Sequence, residues 1–331
     1  MKIVSGIQST DSLTLGNYIG AIKPLIKLQK NNELIIFIAD LHSITMDFNP
    51  VNLIKSKLNI AKIYLASGIK KENAIIFNQS EVFQHLELSW ILTCHTNLGQ
   101  LNRMTQFKDK SHIKEQNKTT RIPAGLLMYP VLMASDILLY SPDIVPVGND
   151  QKQHIELTRD IAMNFNSKYN SNVFKVPDFF SHENGGRIMD LQNPLIKMSK
   201  SNEKKDGVIF LLDSEEEIFR KIKFSKTDSL NKICFDMTNQ RGLSNLLSIY
   251  ASLTDKSINN IVEKFKDYSY KDFKDSLAEL IWKSLKKIQD KYNNIDDENI
   301  KKILKSGASK AQKIALAKLL EVKRQIGLIN E

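Results

Sequence analysis

Two lysines in a short polar segment, Lys197 and Lys200, are the side chains of this chain best suited to chemistry on a phosphate. Met198 and Ser199 separate them, and Ser201 follows. Two ammonium groups at this spacing can approach a triphosphate from one side. A solvated, charged loop without a ligand is the alternative interpretation.

A second candidate for phosphate binding is the segment Thr14-Leu15-Gly16-Asn17 near the start of the chain. A strand-like run precedes it, and helical periodicity begins at Gly16. A helix start exposes unpaired backbone N–H groups, and glycine lets a base or a phosphate approach the backbone closely. An ordinary strand-to-helix turn capped by Thr14 is the alternative.

The elements that must position these two segments alternate between strands and helices. Short apolar runs at 3–7, 34–38, 74–77 and 144–147 are separated by segments with helical periodicity. This βαβα rhythm predicts an α/β fold with a Rossmann-like, doubly wound parallel sheet. Beyond residue 206 the apolar stripes indicate mostly helices. We therefore expect a catalytic domain over 1–205 and a smaller all-helical domain over 206–331, with the last helix packing back on the catalytic domain.

Two further groups of residues lie where such a sheet binds ligands or close to it. Residues 148–151 end a strand just before a helix, and ligands collect at the carboxyl ends of parallel strands. Met133 and Asp136 are three positions apart on an apolar helix and share one face. Tyr129 precedes Pro130, so we expect it to cap this helix and not to lie inside it. A buried carboxylate must be paired, so a structural ion pair of Asp136 with a lysine or arginine is the alternative to a ligand-binding role.

The composition favours a polyanionic partner and argues against a membrane. Lysine and arginine number 47 against 37 acidic residues, a net charge of +10. Each cation near a phosphate releases a counterion, although a generic lysine-rich surface explains the same balance. No apolar run approaches the length of about eighteen residues that a membrane helix needs, and a signal peptide is not evident, though a cleaved organelle presequence stays open. Cys94 and Cys234 are far apart and are expected to be reduced thiols.

The segment at 14–17 and the segment at 197–201, in this order along the chain, resemble the two signature sequences of the class I aminoacyl-tRNA synthetases. The residues between them resemble the tryptophanyl branch in Met-Ala-Ser-Asp-Ile-Leu at 133–138 and in Lys-Gln-His at 152–154. Two departures are visible. Ser9-Thr10-Asp11 stands where the family has Pro-Ser/Thr-Gly, and Asn149 stands where it has an acidic residue.

The resemblance implies a tryptophan–tRNA ligase of the cytoplasm. Such an enzyme activates L-tryptophan with ATP and its Mg²⁺, releases pyrophosphate, and transfers tryptophan to the 3′ end of tRNA(Trp). The resemblance implies no permanent protein-bound metal or prosthetic group. It also implies that the helical domain binds the anticodon, and that a homodimer forms through an insertion at about 80–125.

The resemblance also assigns residues. The residues implied to act in catalysis are Lys197, Lys200 and Asn17. The residues implied to bind ATP are Gln8, Ser9, Thr10, Gly16, Asn17, Gly148, Asn149, Asp150, Ile188, Lys197, Met198, Ser199, Lys200 and Ser201. The residues implied to bind tryptophan are Asp136, Tyr129, Met133, Gln151, His42, Val145 and Val147.

Among these, Asp136 is expected to accept a hydrogen bond from the indole N–H while Met133 packs on the ring. Two other functions stay open at this stage. One is a tyrosine-specific or nucleotidyltransferase relative. The other is a catalytically inactive paralogue that binds RNA or tryptophan.

Overall fold

The structure is a computed structural model that describes residues 1–9, 12–109, 122–180, 188–199, 202 and 204–330, with the backbone alone of Asn149. Five parallel strands form one sheet in the order β3-β2-β1-β4-β5. The strands are β1 Lys2–Gln8, β2 Glu33–Ala39, β3 Ala74–Asn78, β4 Ile144–Pro146 and β5 Asp178–Phe180.

The predicted doubly wound α/β fold is confirmed by this strand order. The chain runs outward from β1 to β3 on one side and then returns to add β4 and β5 on the other. The order therefore reverses between β1 and β4, and the space beyond the carboxyl ends of these two strands is here called the crevice. Ligands bind at such a switch point in open α/β sheets.

Helices cover the sheet and make up the C-terminal part of the described chain. The helices of the first part are α1 Leu15–Asn17, α2 Lys23–Leu28, α3 Asp40–Ser43, α4 Pro50–Ser67, α5 Gln84–Thr93, α6 Leu98–Asn102, α7 Ala124–Leu138 and α8 Lys152–Lys168. A π-helical turn, Tyr18–Ile22, joins α1 to α2, and residues 105–109 are also helical. The later helices are α9 Glu215–Lys223, α10 Arg241–Thr254, α11 Ile258–Phe265, α12 Tyr270–Asn293 and α13 Asp297–Gln325.

The prediction that Tyr129 caps a helix is wrong, because α7 starts five residues earlier and continues through Pro130. Pro123, in an extended conformation, is the N-cap of α7. A proline within a helix removes one backbone hydrogen bond, and the packing of an otherwise apolar helix compensates for this loss. Tyr129 therefore lies within the first half of α7, and its side chain is almost fully buried.

The apolar core is continuous between the sheet and the C-terminal helices. One cluster joins Ile3 and Ile36 of the sheet to Leu243 of α10 and Leu277 of α12. On the other side, α13 packs against β3 and α5. A Cβ atom on Gly307 would lie only 1.9 Å from the carbonyl oxygen of Ile76, so glycine allows this helix to touch the strand's backbone.

Candidate functional site

The carboxyl ends of β1 and β4 bring two predicted ATP-binding segments to the same crevice. Gln8 ends β1 with an exposed side chain, and the buried Ser9 shares a hydrogen bond of 2.7 Å with the hydroxyl of Ser43 on α3. Gly148 and Asp150 follow β4 and are exposed. These residues therefore line the switch point that the strand order defines.

The turn before α1 is held by its own polar side chains. Thr14 Oγ1 accepts the Asn17 N–H at 3.2 Å, and Asn17 Oδ1 accepts the Thr14 N–H at 2.9 Å, which makes a reciprocal capping box. The Leu15 N–H donates to the Ile209 carbonyl at 2.8 Å, which fastens the turn to a segment beyond residue 205. In this structure, Asn17 therefore fixes the turn that presents Gly16.

Gly16 faces the lysine-containing segment across a short distance. A Cβ atom built on Gly16 would lie 3.7 Å from Ile188 Cβ and 3.8 Å from the Met198 carbonyl oxygen. The two segments predicted to bind one ATP, nearly two hundred positions apart in sequence, are therefore neighbours. Sequence patterns alone predicted their roles but gave no distance between them.

A short antiparallel ladder carries the lysine segment. The Met198 N–H donates to the Ile188 carbonyl, and the Asp190 N–H donates to the Ile196 carbonyl, each at 2.9 Å. Met189 and Lys197 are bridge partners within this ladder. Ile188 and Met198 are buried, so the ladder packs its apolar side against the start of α1.

The ammonium of Lys197 lies 3.7 Å from Asp150 Oδ1, across the crevice. Burial opposes ionisation of Asp150, but Lys197 and a hydrogen bond from Gln151 lower its pKa below the ordinary value. Both side chains of the pair are half-exposed, so the ion pair contributes little to stability and can open for a phosphate. Ser199 lies in the described segment and its carbonyl accepts the Asn202 N–H. Thr10, Lys200, Ser201 and the side chain of Asn149 lie outside the described residues.

Asp136 is completely buried and is surrounded by hydrogen-bond donors. His42 Nε2 donates to Oδ2 at 2.8 Å, His85 Nδ1 donates to Oδ1 at 2.6 Å, and Gln79 Nε2 lies 2.7 and 2.8 Å from the two oxygens. Burial raises the pKa of the carboxyl, but the hydrogen bonds from His42 and His85 outweigh it and lower the pKa to about 2. Asp136 is therefore an ionised carboxylate, and its partners among the described residues are two histidines and a glutamine, not the lysine or arginine of the alternative interpretation.

Gln79 and His85 were not predicted from the sequence. Gln79 directly follows β3, and the carboxyl end of a buried parallel strand is a signal that could have identified it. His85 gave no such signal. It lies on α5, and its second ring nitrogen, Nε2, accepts a hydrogen bond of 2.8 Å from the Tyr140 hydroxyl. Tyr140 thus orients His85, and His85 in turn orients Asp136.

Of the other residues predicted to bind tryptophan, Tyr129 and Met133 lie on α7, and Val145, Val147 and Gln151 lie in β4 or just after it. Met133 and Val147 pack on a small apolar cluster that contains Val145. The Tyr129 hydroxyl donates to Gln106 Oε1 at 3.1 Å and lies 2.8 Å from His154 Nε2, and burial raises the pKa of Tyr129 to about 12. Gln106 Nε2 in turn donates to the Asp150 carbonyl at 3.2 Å. Tyr129 is therefore neutral and is linked through Gln106 to the ATP side of the crevice.

Helix α3 connects the two halves of the site. His42 on this helix contacts Asp136, and the next residue, Ser43, contacts Ser9 at the end of β1. Asp40, at the start of the helix, accepts a hydrogen bond of 2.9 Å from the Ser80 N–H and lies 3.1 Å from the Lys57 ammonium. In the described part of the chain, no group of three acidic, histidine or cysteine side chains is arranged to hold a metal ion.

Comparison with known proteins identifies the class of protein that this fold and site define. Residues 1–286 match the family model described as tRNA synthetases class I (W and Y). The chain belongs to this family, which confirms the class I resemblance seen in its sequence motifs.

The family model covers both the tryptophan and the tyrosine enzymes, whereas the individual relatives reported below are tryptophan enzymes. The chain is 51% identical over 327 residues to a tryptophan–tRNA ligase of Malacoplasma penetrans, covering 98% of both chains. It is 45% identical to a tryptophan–tRNA ligase of Helicobacter pylori, covering 99% of both. The crystal structure of tryptophanyl-tRNA synthetase from Mycoplasma pneumoniae has a TM-score of 0.91 at 40% identity, covering 98% of this chain and 97% of that one. The enzyme from Campylobacter jejuni, complexed with ADP and tryptophan, has a TM-score of 0.81 at 33% identity, covering 99% of this chain and 100% of that one.

Within the residues that the structure describes, no helix is both long enough and apolar enough to cross a bilayer.

Proposed function

We propose that this chain is a tryptophan–tRNA ligase. It activates L-tryptophan with ATP and then transfers the amino acid to the 3′ end of tRNA(Trp). The observation that carries the proposal is the connection between two sites. The crevice of Gly16 and Lys197 is joined through α3 to the buried, ionised Asp136.

In the first step, the tryptophan carboxylate attacks the α-phosphorus of ATP. A new bond forms between the carboxylate oxygen and the α-phosphorus. The bond between the α-phosphorus and the oxygen that bridges it to the β-phosphorus breaks, so pyrophosphate leaves as tryptophanyl-adenylate forms. No protein nucleophile is needed, because the chain supplies position and positive charge. We propose that Lys197 binds the triphosphate by exchanging Asp150 for a phosphate oxygen, and that Mg²⁺ enters with the ATP; the half-exposed ion pair of Lys197 with Asp150 supports this role. Lys200 is proposed to stabilise the charge on the leaving pyrophosphate, as the family resemblance implies.

We assign amino-acid selection to Asp136. A buried acceptor binds an aromatic ring that can donate at the right point, and it disfavours phenylalanine, which cannot donate at all. Asp136 is fully buried beneath three donor side chains, so we propose that one of them moves aside for the indole N–H while the carboxylate keeps the other two. His42 is the natural one, because its side chain is 10% exposed whereas that of His85 is fully buried.

In the second step, a terminal hydroxyl of tRNA attacks the adenylate carbonyl, the ester forms and AMP leaves. We propose that the lysine-rich C-terminal helices contact the phosphates of the anticodon arm. Such contacts give affinity and salt dependence without base selection. We propose that the protein acts in the cytoplasm, because its proposed substrates, tRNA and ATP, are present there.

We also propose a homodimer. Trp90 is 70% exposed, and Phe83 and Leu86 beside it on and before α5 are more than half exposed. Exposed aromatic residues grouped in this way are typical of protein interfaces. This group lies in the region at about 80–125 that the family resemblance implies for the interface.

Aminoacylation of a tRNA(Trp) transcript tests the proposal. The purified chain is incubated with ATP, Mg²⁺, the transcript and each aromatic amino acid in turn. We expect a charged transcript with tryptophan alone. Binding of tRNA or tryptophan without any charging would instead favour the inactive paralogue, and charging of tRNA(Tyr) with tyrosine would favour the tyrosine-specific relative.

A further inference from the structure

Asn245, on α10, makes a two-way hydrogen bond with the backbone of the ladder that carries Lys197. Its Oδ1 accepts the Met189 N–H and its Nδ2 donates to the Met189 carbonyl, each at 2.9 Å. Asn245 is only 4% exposed. Its amide therefore pairs with Met189 as a neighbouring strand would, with one donor and one acceptor.

The position of Met189 makes this pairing relevant to the lysine segment. Met189 is the bridge partner of Lys197, and the hydrogen bonds of Met198 with Ile188 and of Asp190 with Ile196 lie on either side. Met189 uses its backbone N–H and carbonyl toward Asn245. The amide of Asn245 thus fixes one edge of the ladder, and the other edge carries Lys197.

The helix that carries Asn245 is also tied to the glycine side of the crevice. Lys23, on α2, donates to the Ser252 carbonyl and, at 3.1 Å, to the Leu253 carbonyl near the end of α10. Its ammonium also lies 3.0 Å from Asp255, just past the helix. Because α2 continues the helical segment that begins at Leu15, α10 is connected to both segments that face the crevice.

We propose that Asn245 is a positioning residue for adenylate formation. It holds the Lys197–Ser199 segment at the distance from Gly16 that one ATP requires. It touches neither substrate and acts only through Met189. This inference rests on the proposed function for its kinetic part, since it concerns the step in which the triphosphate is bound and broken.

Two substitutions of Asn245 and one control test the proposal. Asn245→Ala removes both hydrogen bonds. Asn245→Asp keeps the shape and the acceptor for the Met189 N–H, but it loses the donor and places a carboxylate against the Met189 carbonyl. Ser248→Ala is the control, because Ser248 lies one turn further along α10 and its hydroxyl bonds only to the Ser244 carbonyl in the described structure.

The kinetic measurement separates the two steps of the reaction. We expect each Asn245 variant to lose at least tenfold in kcat of tryptophan-dependent ATP–pyrophosphate exchange, with the KM for tryptophan within about twofold of wild type. Transfer of tryptophan from chemically synthesised adenylate to tRNA does not use the triphosphate. The rate of this transfer should stay within twofold of wild type in the Asn245 variants. The rates of both steps should stay within twofold of wild type in Ser248→Ala. Equal loss in both steps, or no loss of exchange, would overturn the proposal.

A second measurement does not depend on any reaction. Amide hydrogen exchange of Met189, Asp190 and Met198 is followed in the ligand-free proteins. We expect these amides to exchange at least tenfold faster in Asn245→Ala than in wild type, and at the wild-type rate in Ser248→Ala. Unchanged protection refutes the positioning role. If the wild-type chain protects these amides but does not catalyse tryptophan-dependent ATP–pyrophosphate exchange, the proposed function is refuted instead. If Asn245→Ala does not fold, Asn245→Asp serves for the kinetic measurement, and its hydrogen exchange is read at Asp190 and Met198 only, because the Met189 N–H keeps its acceptor.

Discussion

At the scale of single residues, the proposed chemistry of this chain depends on a carboxylate that stays ionised inside the protein. Three donors, His42, Gln79 and His85, surround Asp136 at hydrogen-bond distance. Without them, a buried carboxylate would bind a proton and could no longer act as an acceptor with full charge. The hydroxyl of Tyr140 fixes the tautomer of His85, so the network extends one residue further than the pocket.

Replacing Asp136 with alanine tests its role in catalysis. We expect Asp136→Ala to lower kcat/KM for tryptophan-dependent pyrophosphate exchange by about 10³-fold or more, because the indole N–H loses its acceptor and two histidines lose their partner. His85→Asn is the companion variant. It removes the ring that orients Asp136 and should cause a smaller loss. Near-wild-type exchange in Asp136→Ala would exclude Asp136 as the residue that binds the indole.

The pH dependence of stability provides a separate test of the same carboxylate. Its folded pKa of about 2 lies below the ordinary value of 3.8, so the unfolded chain binds this proton first as the pH falls. Asp136 therefore stabilises the fold above pH 4, and this contribution declines between pH 4 and pH 2. Urea unfolding of wild type and Asp136→Asn should show their difference in unfolding free energy shrinking by about 1 kcal/mol from pH 6 to pH 3. A constant difference would contradict the ionised state.

The sequence predicted part of this residue-level picture. Asp136, Met133 and Tyr129 were identified as pocket residues because their motif resembles a family. His85 and Gln79 lie about fifty positions before Asp136, and only the packing of α5 against α7 and the end of β3 brings them to it. Such nonlocal partners leave no periodic pattern in a single sequence.

At the scale of elements, the crevice proposed to bind ATP lies between a helix start on one side and a two-stranded ladder on the other. The capping box of Thr14 and Asn17 makes the helix start rigid, and Asn245 pairs with the ladder. Local capping could be anticipated from residue types, whereas the pairing with α10 depends on a helix some fifty residues further along. Strand β5 was not predicted either, because three residues, Asp178–Phe180, are too short to give an alternation signal.

A substitution of Gly16 is expected to weaken ATP binding without changing the stability of the fold. A Cβ atom there would meet Thr14 Oγ1 at 3.4 Å and all other atoms at ordinary contact distances, so the ligand-free fold accepts alanine. The added methyl would occupy the surface on which ATP is proposed to lie. We expect Gly16→Ala to raise the KM for ATP about tenfold while Tm changes by less than about 2 °C. Gly99→Ala is the control, since among the described residues its Cβ meets only Arg103 within 4 Å. An unchanged KM for ATP in Gly16→Ala would place the nucleotide elsewhere.

At the scale of the whole molecule, the core passes without interruption from the sheet to the C-terminal helices, and α13 closes over β3. The change from alternating to helical patterns after residue 206 was visible in the sequence. The contacts across that point were not visible, because they depend on which apolar stripe faces which. They mean that the lysine-rich helices and the ATP crevice share one packed interior.

The proposed dimer belongs to this scale. We expect wild type to elute with twice the mass of one chain in size-exclusion chromatography with light scattering, and Trp90→Glu to elute as a monomer. A buried charge without a partner would destabilise the interface by several kcal/mol. Leu316→Glu is the control, because Leu316 is also an exposed apolar residue but lies on α13. A dimeric Trp90→Glu protein would place the interface on another surface.

The central claim is that one crevice binds ATP and presents it to an indole ring held by Asp136. The most direct measurement is ATP–pyrophosphate exchange by the wild-type chain, without tRNA. It compares tryptophan, tyrosine and the tryptophan analogue that has sulfur in place of the indole N–H. We predict rapid exchange with tryptophan, and exchange at least 10³-fold slower in kcat/KM with tyrosine and with the analogue. Equal exchange with tryptophan and with the sulfur analogue would contradict the account.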